Sequence, residues 1–275
     1  MLNKKHISAF LAEFFGVGIL TMLFLTVQRS TIGVPFFIAI AVGLVVIVLM
    51  FALINVSGAH FNPALTVALW TARKVSTLRA IFYIAAQLLG GWLAYYLFTY
   101  LTGSKFAPIG GHYTAKILLS ETFGAFVLGF IWSSAMFQKL STAVRASVGG
   151  VAFLLGILAA SVAAIGIVNP AVALGARAWV WGTYVLGPVL GAVIGVNLYG
   201  LLFAPAKETI GETKSTSLKS LLTKKDVEAK TDDQSVSDKT TNKSTAAKTT
   251  TATKKKTVSR SNNKKRSTAN RKKSR

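Results

Sequence analysis

Hydrophobic residues in this chain are concentrated in six stretches of about 20 residues, the length that an α-helix needs to cross a lipid bilayer. The predicted spans cover residues 7–27, 33–54, 78–101, 115–137, 146–166 and 179–203. Because an even number of spans returns the chain to the side from which it started, both ends are predicted to lie on one side of the membrane. The pattern predicts an all-α membrane protein.

Two uncharged runs, residues 30–72 and 146–176, are longer than a single span requires. The first run contains 43 residues, and Gly58, Asn62 and Pro63 in its second half disfavour a second complete span. A full span followed by a re-entrant half-helix fits each run better.

The tripeptide Asn-Pro-Ala occurs once in each of these runs. Asn is a strong helix N-cap, and Pro is favoured at the first helical position, so each copy predicts the start of a helix. The surroundings are too apolar for a surface loop, which places both helix starts inside the bilayer. The two copies are Asn62, Pro63, Ala64 and Asn169, Pro170, Ala171.

The two halves of the chain also share an acidic residue in their first span. Glu13 lies 49 residues before Asn62, and Glu121 lies 48 residues before Asn169. Each half therefore holds three spans and one half-helix, with repeat one at about 5–103 and repeat two at about 112–203. Since three is odd, the halves enter the membrane in opposite orientations as an inverted repeat.

In this arrangement the N-termini of both half-helices meet near mid-membrane. Each terminus carries roughly half a positive charge, so a cation is repelled there. The side-chain amides of Asn62 and Asn169 can donate hydrogen bonds to a passing water or polyol. Exclusion of cations by paired half-helix dipoles is a known property of water channels.

Charge divides the chain into two parts. Residues 1–204 carry 11 Lys and Arg and only two acids, whereas residues 205–275 carry 20 Lys and Arg and seven acids. The first part is the predicted channel domain, and the second, rich in Lys, Ser and Thr, is predicted to be a disordered tail. The tail has the charge to bind anionic lipid or nucleic acid, and a solvated tail without a specific partner is the alternative.

The basic residues also orient the domain. Seven of its eleven Lys and Arg lie on the side of the termini, and the tail adds to that side, which is therefore predicted to be cytoplasmic at the cell membrane. Gly187, Gly191 and Gly195 form a small-residue stripe in the last span, which predicts close helix packing within the molecule or, alternatively, between subunits.

The sequence resembles the aquaporin and glycerol-facilitator (major intrinsic protein) family. The resemblance covers about residues 5–203 and rests on Ser-Gly-Ala-His-Phe-Asn-Pro-Ala at 57–64, the second Asn-Pro-Ala, both Glu-bearing spans, Gln87, and Gly187-Pro188. It implies six transmembrane helices plus two re-entrant half-helices in an inverted repeat. It also implies a homotetramer with one pore in each subunit.

The resemblance further implies roles for three polar residues. Glu13 and Glu121 are expected to accept hydrogen bonds from the backbone of the re-entrant loops, and the alternative is that both acids lie near helix ends facing water. His60 is expected to pack in the first loop and line the cytoplasmic side of the pore. With only His6 and His112 besides, a metal-binding His cluster is not expected.

The sequence departs from the family pattern after the second Asn-Pro-Ala, where most members have Arg and this chain has Val172. Matching the other positions of the outer constriction gives Val42, Ile157 and Gly166. Arg177 lies five residues beyond Val172, about 140° around a helix, so it is expected to face elsewhere or to line the outer vestibule. The predicted constriction is apolar, and it either passes glycerol-sized neutral solutes or closes by dewetting.

Three functions are consistent with the sequence. We expect a passive channel for water, with small neutral solutes such as glycerol as further candidates. The alternatives are a coupled secondary transporter, which also uses inverted repeats, and a nonconducting anchor that presents the tail. Enzymatic activity, a cofactor and a metal site are not expected, because the chain has no Cys, no plausible triad and no metal-ligand cluster.

Overall fold

The computed structural model describes residues 3–30, 34–109, 112–178 and 180–204. The expectations for the tail at 205–275, including its disorder and its lipid or nucleic-acid partners, concern residues outside these ranges. The described chain is helical and has six helices long and apolar enough to cross a membrane, which confirms the predicted fold class. The helices are α1 Lys4–Arg29, α2 Pro35–Ser57, α3 Pro63–Thr71, α4 Thr77–Thr102, α5 Ala115–Phe137, α6 Thr142–Ala160, α7 Pro170–Gly175 and α8 Gly187–Phe203.

The fifth span differs most from its predicted bounds of 146–166, because α6 runs over Thr142–Ala160. At its start, Ser141 Oγ accepts a hydrogen bond from Val144 N–H at 3.3 Å. Arg145 then lies inside the helix, where its Nε donates to Ala135 O on α5 at 2.8 Å. The charge expected in a loop is thus accommodated in the first turns of the helix.

The last span begins with a π-helical turn, Gly182–Leu186, that continues directly into α8. At the junction, the N–H of Gly187 donates to Gly182 O, five residues earlier. Pro188 follows at once and has no N–H to donate, which removes a bond that a regular α-helix would make there. The widened turn is the local response to this proline.

The two halves pack in equivalent ways. In the first half α1 packs against α2 and α4, and in the second half α5 packs against α6 and α8. The halves meet where α2 crosses α6 at Gly43 and Gly150, each 19 residues before the Asn of its own triplet. A Cβ at Gly43 would lie 3.0 Å from Gly150 O. The crossing therefore requires small residues at equivalent positions of both repeats.

The glycine stripe of α8 faces α5 in the same molecule. A Cβ at Gly187 would lie 3.2 Å from Leu118 O, and a Cβ at Gly191 would come too close to Thr122 O. Gly195 is similarly close to Phe126 O. The stripe thus serves helix packing within the molecule, as the first of the two alternatives predicted.

Large apolar side chains cover the outer surface of the bundle. Phe15 on α1, Val48 on α2, Leu97 on α4 and Ile194 on α8 are all exposed. In water such a surface would be unfavourable, whereas in a bilayer it contacts lipid chains. The surface agrees with a multi-pass membrane protein.

Candidate functional site

Each Asn of the two triplets caps its own half-helix. Asn62 Oδ1 accepts a hydrogen bond from Ala64 N–H at 2.8 Å, and α3 begins at Pro63. Asn169 Oδ1 accepts from Ala171 N–H at 3.1 Å, and α7 begins at Pro170. The oxygen of each side chain is therefore engaged within its own helix.

The nitrogen of each Asn bonds to the opposite loop. Asn62 Nδ2 donates to Val168 O at 2.9 Å, and Asn169 Nδ2 donates to Phe61 O at 2.8 Å. These reciprocal bonds hold the two helix N-termini together at the centre of the molecule. Because an amide nitrogen carries two N–H groups, one donor of each side chain stays available to a molecule beside the pair.

The carbonyls that accept these bonds belong to strained residues. Phe61 has φ of 48° and Val168 has φ of 46°, a left-handed conformation that disfavours side chains of this size. Each directly precedes its Asn, so the strain occurs at equivalent points of the two repeats. Strain of this kind persists only where surrounding contacts enforce it.

Glu13 supplies those contacts in the first loop. Its Oε1 accepts from His60 N–H at 3.0 Å and from Ser57 Oγ at 2.6 Å, and its Oε2 accepts from Phe61 N–H at 2.8 Å. Gln87 Nε2 donates to the same Oε2 at 2.7 Å. Four donors thus surround one fully buried carboxylate.

Glu121 has the equivalent position in the second loop. Its Oε1 accepts from Gly166 N–H at 3.1 Å and from Ile167 N–H at 2.9 Å, and its Oε2 accepts from Val168 N–H at 2.8 Å. These bonds to loop backbone are the role that the resemblance implied for both acids. The preceding residue, Ser120, contacts the end of α6, because its Oγ donates to Ala160 O at 2.7 Å.

His60 packs in the first loop among aromatic and hydroxyl groups. Its Nδ1 lies 3.2 Å from Thr66 Oγ1, and its ring makes edge contacts with Tyr83 and Trp132 at centroid distances of 5.3 and 5.9 Å. Over the ranges that the structure describes, no group of three or more His, Asp or Glu side chains could hold a metal ion.

The four candidate constriction residues are apolar and buried. Val42 on α2 and Val172 on α7 are only 2% and 1% exposed. Gly166 lies against Ile157, because a Cβ at Gly166 would be 2.6 Å from Ile157 O. Two backbone atoms here are also engaged, since Gly166 N–H bonds to Glu121 and Ile157 O accepts from Ser161 Oγ at 2.7 Å.

The side chain of Arg177 contacts residues outside this set. Its Nη1 lies 3.3 Å from both Tyr95 OH and Phe106 O, and its guanidinium is 5.5 Å from the centre of the Tyr95 ring. These contacts hold the side chain against α4 and the segment that follows it. The guanidinium therefore has partners away from Val172.

Several residues that shape the site were missed by sequence reasoning. Ser57, Thr66 and Tyr83 join the network around the first loop, with Tyr83 OH donating to Ser57 O at 2.7 Å. Ser57 and Thr66 could have been noticed, because they flank the first triplet in an otherwise apolar run. Tyr83 and Trp132 carry no such local signal.

Comparison with known proteins adds an independent finding. The family model described as "Major intrinsic protein" matches residues 2–199. The chain is 32% identical over 232 residues to Aquaporin NIP3-1 of Arabidopsis thaliana, covering 75% of this chain and 71% of that protein. It is 31% identical over 240 residues to Aquaporin AqpM of Methanothermobacter thermautotrophicus, covering 72% of this chain and 95% of that protein.

The fold has a counterpart among solved structures. The aquaglyceroporin from Plasmodium falciparum superimposes with a TM-score of 0.57, covering 73% of this chain and 98% of that chain. Sequence identity between the two is 18%, so this likeness concerns the fold alone.

Proposed function

The chain belongs to the major intrinsic protein family, and from this premise we propose that it is a passive pore for water and for small neutral solutes such as glycerol. Proteins of this family are multi-pass membrane channels and not enzymes. The aquaporin relatives support a neutral permeant.

The observation that carries the proposal is the crosswise pair of Asn62 and Asn169. Both half-helices begin at this pair, so two positive dipole ends and two free amide donors lie together. A molecule with a hydrogen-bond acceptor is stabilised there, whereas a cation loses hydration water and meets positive potential. The pair therefore favours neutral permeants over cations.

The constriction formed by Val42, Ile157, Gly166 and Val172 extends the proposal to selectivity. None of these side chains can donate a hydrogen bond or add charge. Val172 occupies the position where Arg would narrow the passage and contribute a fixed positive charge. We therefore propose a wider and more apolar constriction than a strict water channel has.

The two acids argue against a coupled transporter. A coupled transporter would normally place ionisable residues at a binding site near the bilayer midplane. Glu13 and Glu121 are the acids of the described residues, and loop donors occupy the oxygens of both. Both serve as scaffold in this proposal, and flux is expected to ignore proton and sodium gradients.

The proposal includes the surroundings of the pore. We place both termini in the cytoplasm at the cell membrane, because the seven basic residues on that side exceed the four on the other. We also propose a homotetramer, a channel domain at 1–204, and a basic segment at 205–275 that attracts anionic lipid or nucleic acid. Salt-sensitive binding of the isolated segment to anionic vesicles or DNA tests the last point.

Stopped-flow light scattering on proteoliposomes tests the channel itself. We expect the wild type to conduct water and glycerol, and Val172→Arg to reduce glycerol permeability more than water permeability. Val162→Arg is the matched control, because Val162 is 83% exposed in the loop before α7. Absence of both fluxes in the wild type would favour the anchor, and water flux without glycerol flux would contradict the wide constriction.

A further inference from the structure

Three side chains from separate elements converge on the half of the molecule where α1 begins. Trp132 from α5 contacts the His60 ring edge-on at 5.9 Å, with the two planes at 90°. Met50 from α2 lies directly against Gly149 on α6, and a Cβ at Gly149 would be 3.4 Å from Trp132 Nε1. All three side chains are buried. They form a compact group beside the first loop.

The indole of Trp132 has an unpaired donor. Its ring is fully buried, and Nε1 has no hydrogen-bond partner among the residues that the structure describes. A buried Trp N–H usually finds an acceptor, because leaving the donor unpaired costs the hydrogen bonds it made to water. An acceptor that enters with a permeating molecule would satisfy it.

The spacing from the two triplets relates this group to the outer constriction. Met50 precedes Asn62 by 12 residues, as Ile157 precedes Asn169. Gly149 precedes Asn169 by 20 residues, as Val42 precedes Asn62. Met50 and Gly149 are therefore the repeat equivalents of Ile157 and Val42. In an inverted repeat, equivalent residues lie at similar depths on opposite sides of the membrane centre.

Trp132 also has a repeat equivalent, although that residue is not part of the outer constriction. Trp132 lies 11 residues after Glu121, and Phe24 lies 11 residues after Glu13. Both aromatic side chains are among the largest fully buried groups of the chain. The two repeats thus carry a bulky ring at matching depths, but only the ring of the second repeat has an N–H donor.

We propose that Met50, His60 and Trp132 form a second, inner constriction of the pore, in which Trp132 Nε1–H donates a hydrogen bond to the oxygen of a permeating water or polyol. This inference rests on the proposed channel function. The outer constriction then selects by size and apolar character, and the inner one supplies the donor that the outer one lacks. A permeating molecule would therefore be selected by size and apolar character at one constriction and by its hydrogen-bond acceptor at the other.

The absence of Cys from the full sequence provides a direct test of position. Trp132→Cys introduces a single thiol, and we expect mercuric chloride to reduce its water permeability to the level of protein-free vesicles, with recovery on adding a thiol reductant. Trp92→Cys is the matched control, because Trp92 is 44% exposed on α4 and should give a labelled but conducting protein. Labelled Trp132→Cys with undiminished conduction would overturn the proposal.

A second substitution tests the donor and avoids the loss of volume. Replacing Trp132 with 3-benzothienylalanine, which has sulfur in place of the N–H, keeps the ring shape. We expect water permeability to fall about 2- to 10-fold, the equivalent of one net hydrogen bond, and the same replacement at Trp92 to have no effect. Unchanged permeability at position 132 would contradict the donor role.

These outcomes also separate this inference from the function on which it rests. If the wild type conducts and the Trp132 variants behave like the Trp92 variants, only the proposal of an inner constriction is contradicted. If the wild type conducts neither water nor glycerol, both the channel proposal and the inner constriction are contradicted.

Discussion

Gln87 donates a hydrogen bond from Nε2 to Glu13 Oε2 at 2.7 Å, joining two residues that are 74 positions apart. Both polar atoms of the same amide also lie near Thr66 Oγ1, Nε2 at 3.0 Å and Oε1 at 3.4 Å. An amide can turn over and exchange its nitrogen and oxygen, and a hydroxyl can donate or accept. Gln87 can therefore adapt to a change at Glu13.

This relationship predicts unequal effects of neutralising the two acids. In Glu13→Gln, the Gln87 amide can turn over and accept from the new N–H group, so one loop donor loses its partner. In Glu121→Gln, Val168 N–H loses its acceptor and the new amide N–H has none in the described surroundings. We expect Glu121→Gln to lower the free energy of unfolding by about 1 to 3 kcal/mol more than Glu13→Gln.

Thermal unfolding of the detergent-solubilised variants measures this difference. Gln87→Leu provides the control, because it removes the adaptable amide. In that background Glu13→Gln should become as costly as Glu121→Gln. Equal losses for the two acid variants in the wild-type background would show that Gln87 does not compensate.

The crosswise Asn pair predicts a change in ion exclusion. Asn169→Asp places a carboxylate against Phe61 O, where Asn169 Nδ2 now donates at 2.8 Å. The variant loses a donor and gains a negative charge beside two helix N-termini, so the barrier to cations falls. We expect a measurable proton leak in proteoliposomes loaded with a pH-sensitive dye, while water permeability persists.

Asn197→Asp is the matched substitution for this experiment. Asn197 lies on α8, and its Nδ2 donates a hydrogen bond of 2.8 Å to Thr71 Oγ1. This bond does not involve Asn62 or Asn169. The control should leave ion permeability unchanged. If both variants were equally tight to ions, exclusion would have to arise elsewhere in the pore.

The elements of the fold could be predicted from local patterns. The six spans follow from hydropathy, and the starts of α3 and α7 follow from the capping chemistry of Asn followed by Pro. The bounds of α6 could not be predicted, because Arg145 near its start bonds to Ala135 O and Ala160 O at its end accepts from Ser120 Oγ. Both contacts join residues on different helices.

The candidate site shows the same limit. The capping role of Asn62 is local and follows from the sequence, whereas the acceptor of its Nδ2 is Val168, 106 residues away. Left-handed Phe61 and Val168 carry no signal of their own, since side chains of this size usually avoid that conformation. One sequence does not show which distant donors compensate such strain.

Gly166 offers a test of the outer constriction. It has φ of 77°, and a Cβ there would lie 2.6 Å from both Ile157 O and Ser161 Oγ. Gly166→Ala therefore adds steric crowding to the ordinary cost of a left-handed alanine. We expect a loss of about 1 to 3 kcal/mol in stability, and glycerol permeability should fall more than water permeability.

Gly103→Ala separates the cost of steric crowding from the cost of a left-handed alanine. Gly103 also has a positive φ, 64°, but a Cβ there would meet nothing within 4 Å. This variant should show only the conformational penalty and keep the wild-type ratio of glycerol to water permeability. Identical behaviour of the two variants would mean that Gly166 does not border the passage.

Substitutions in the glycine stripe of α8 test whether the stripe serves helix packing or subunit contact. Gly191 lies so close to Thr122 O on α5 that a methyl group would force the two helices apart, and the added Cβ would also be 2.8 Å from Phe126 N. We expect Gly191→Ala to lower the free energy of unfolding by about 1 to 3 kcal/mol. Gly18→Ala on α1 should be tolerated, because its Cβ would lie 3.6 Å from Gly90 O, an ordinary contact.

Native mass spectrometry beside thermal unfolding completes this test. Because the stripe packs inside one molecule, Gly191→Ala should lower the unfolding temperature, and any oligomer should dissociate only as the subunits unfold. A variant with wild-type unfolding but a smaller native mass would place Gly191 in a subunit contact instead. If Gly191→Ala lowers the unfolding temperature and keeps the native mass, subunit contacts must lie on other surfaces. The exposed apolar side chains of the bundle are then the candidates for those contacts.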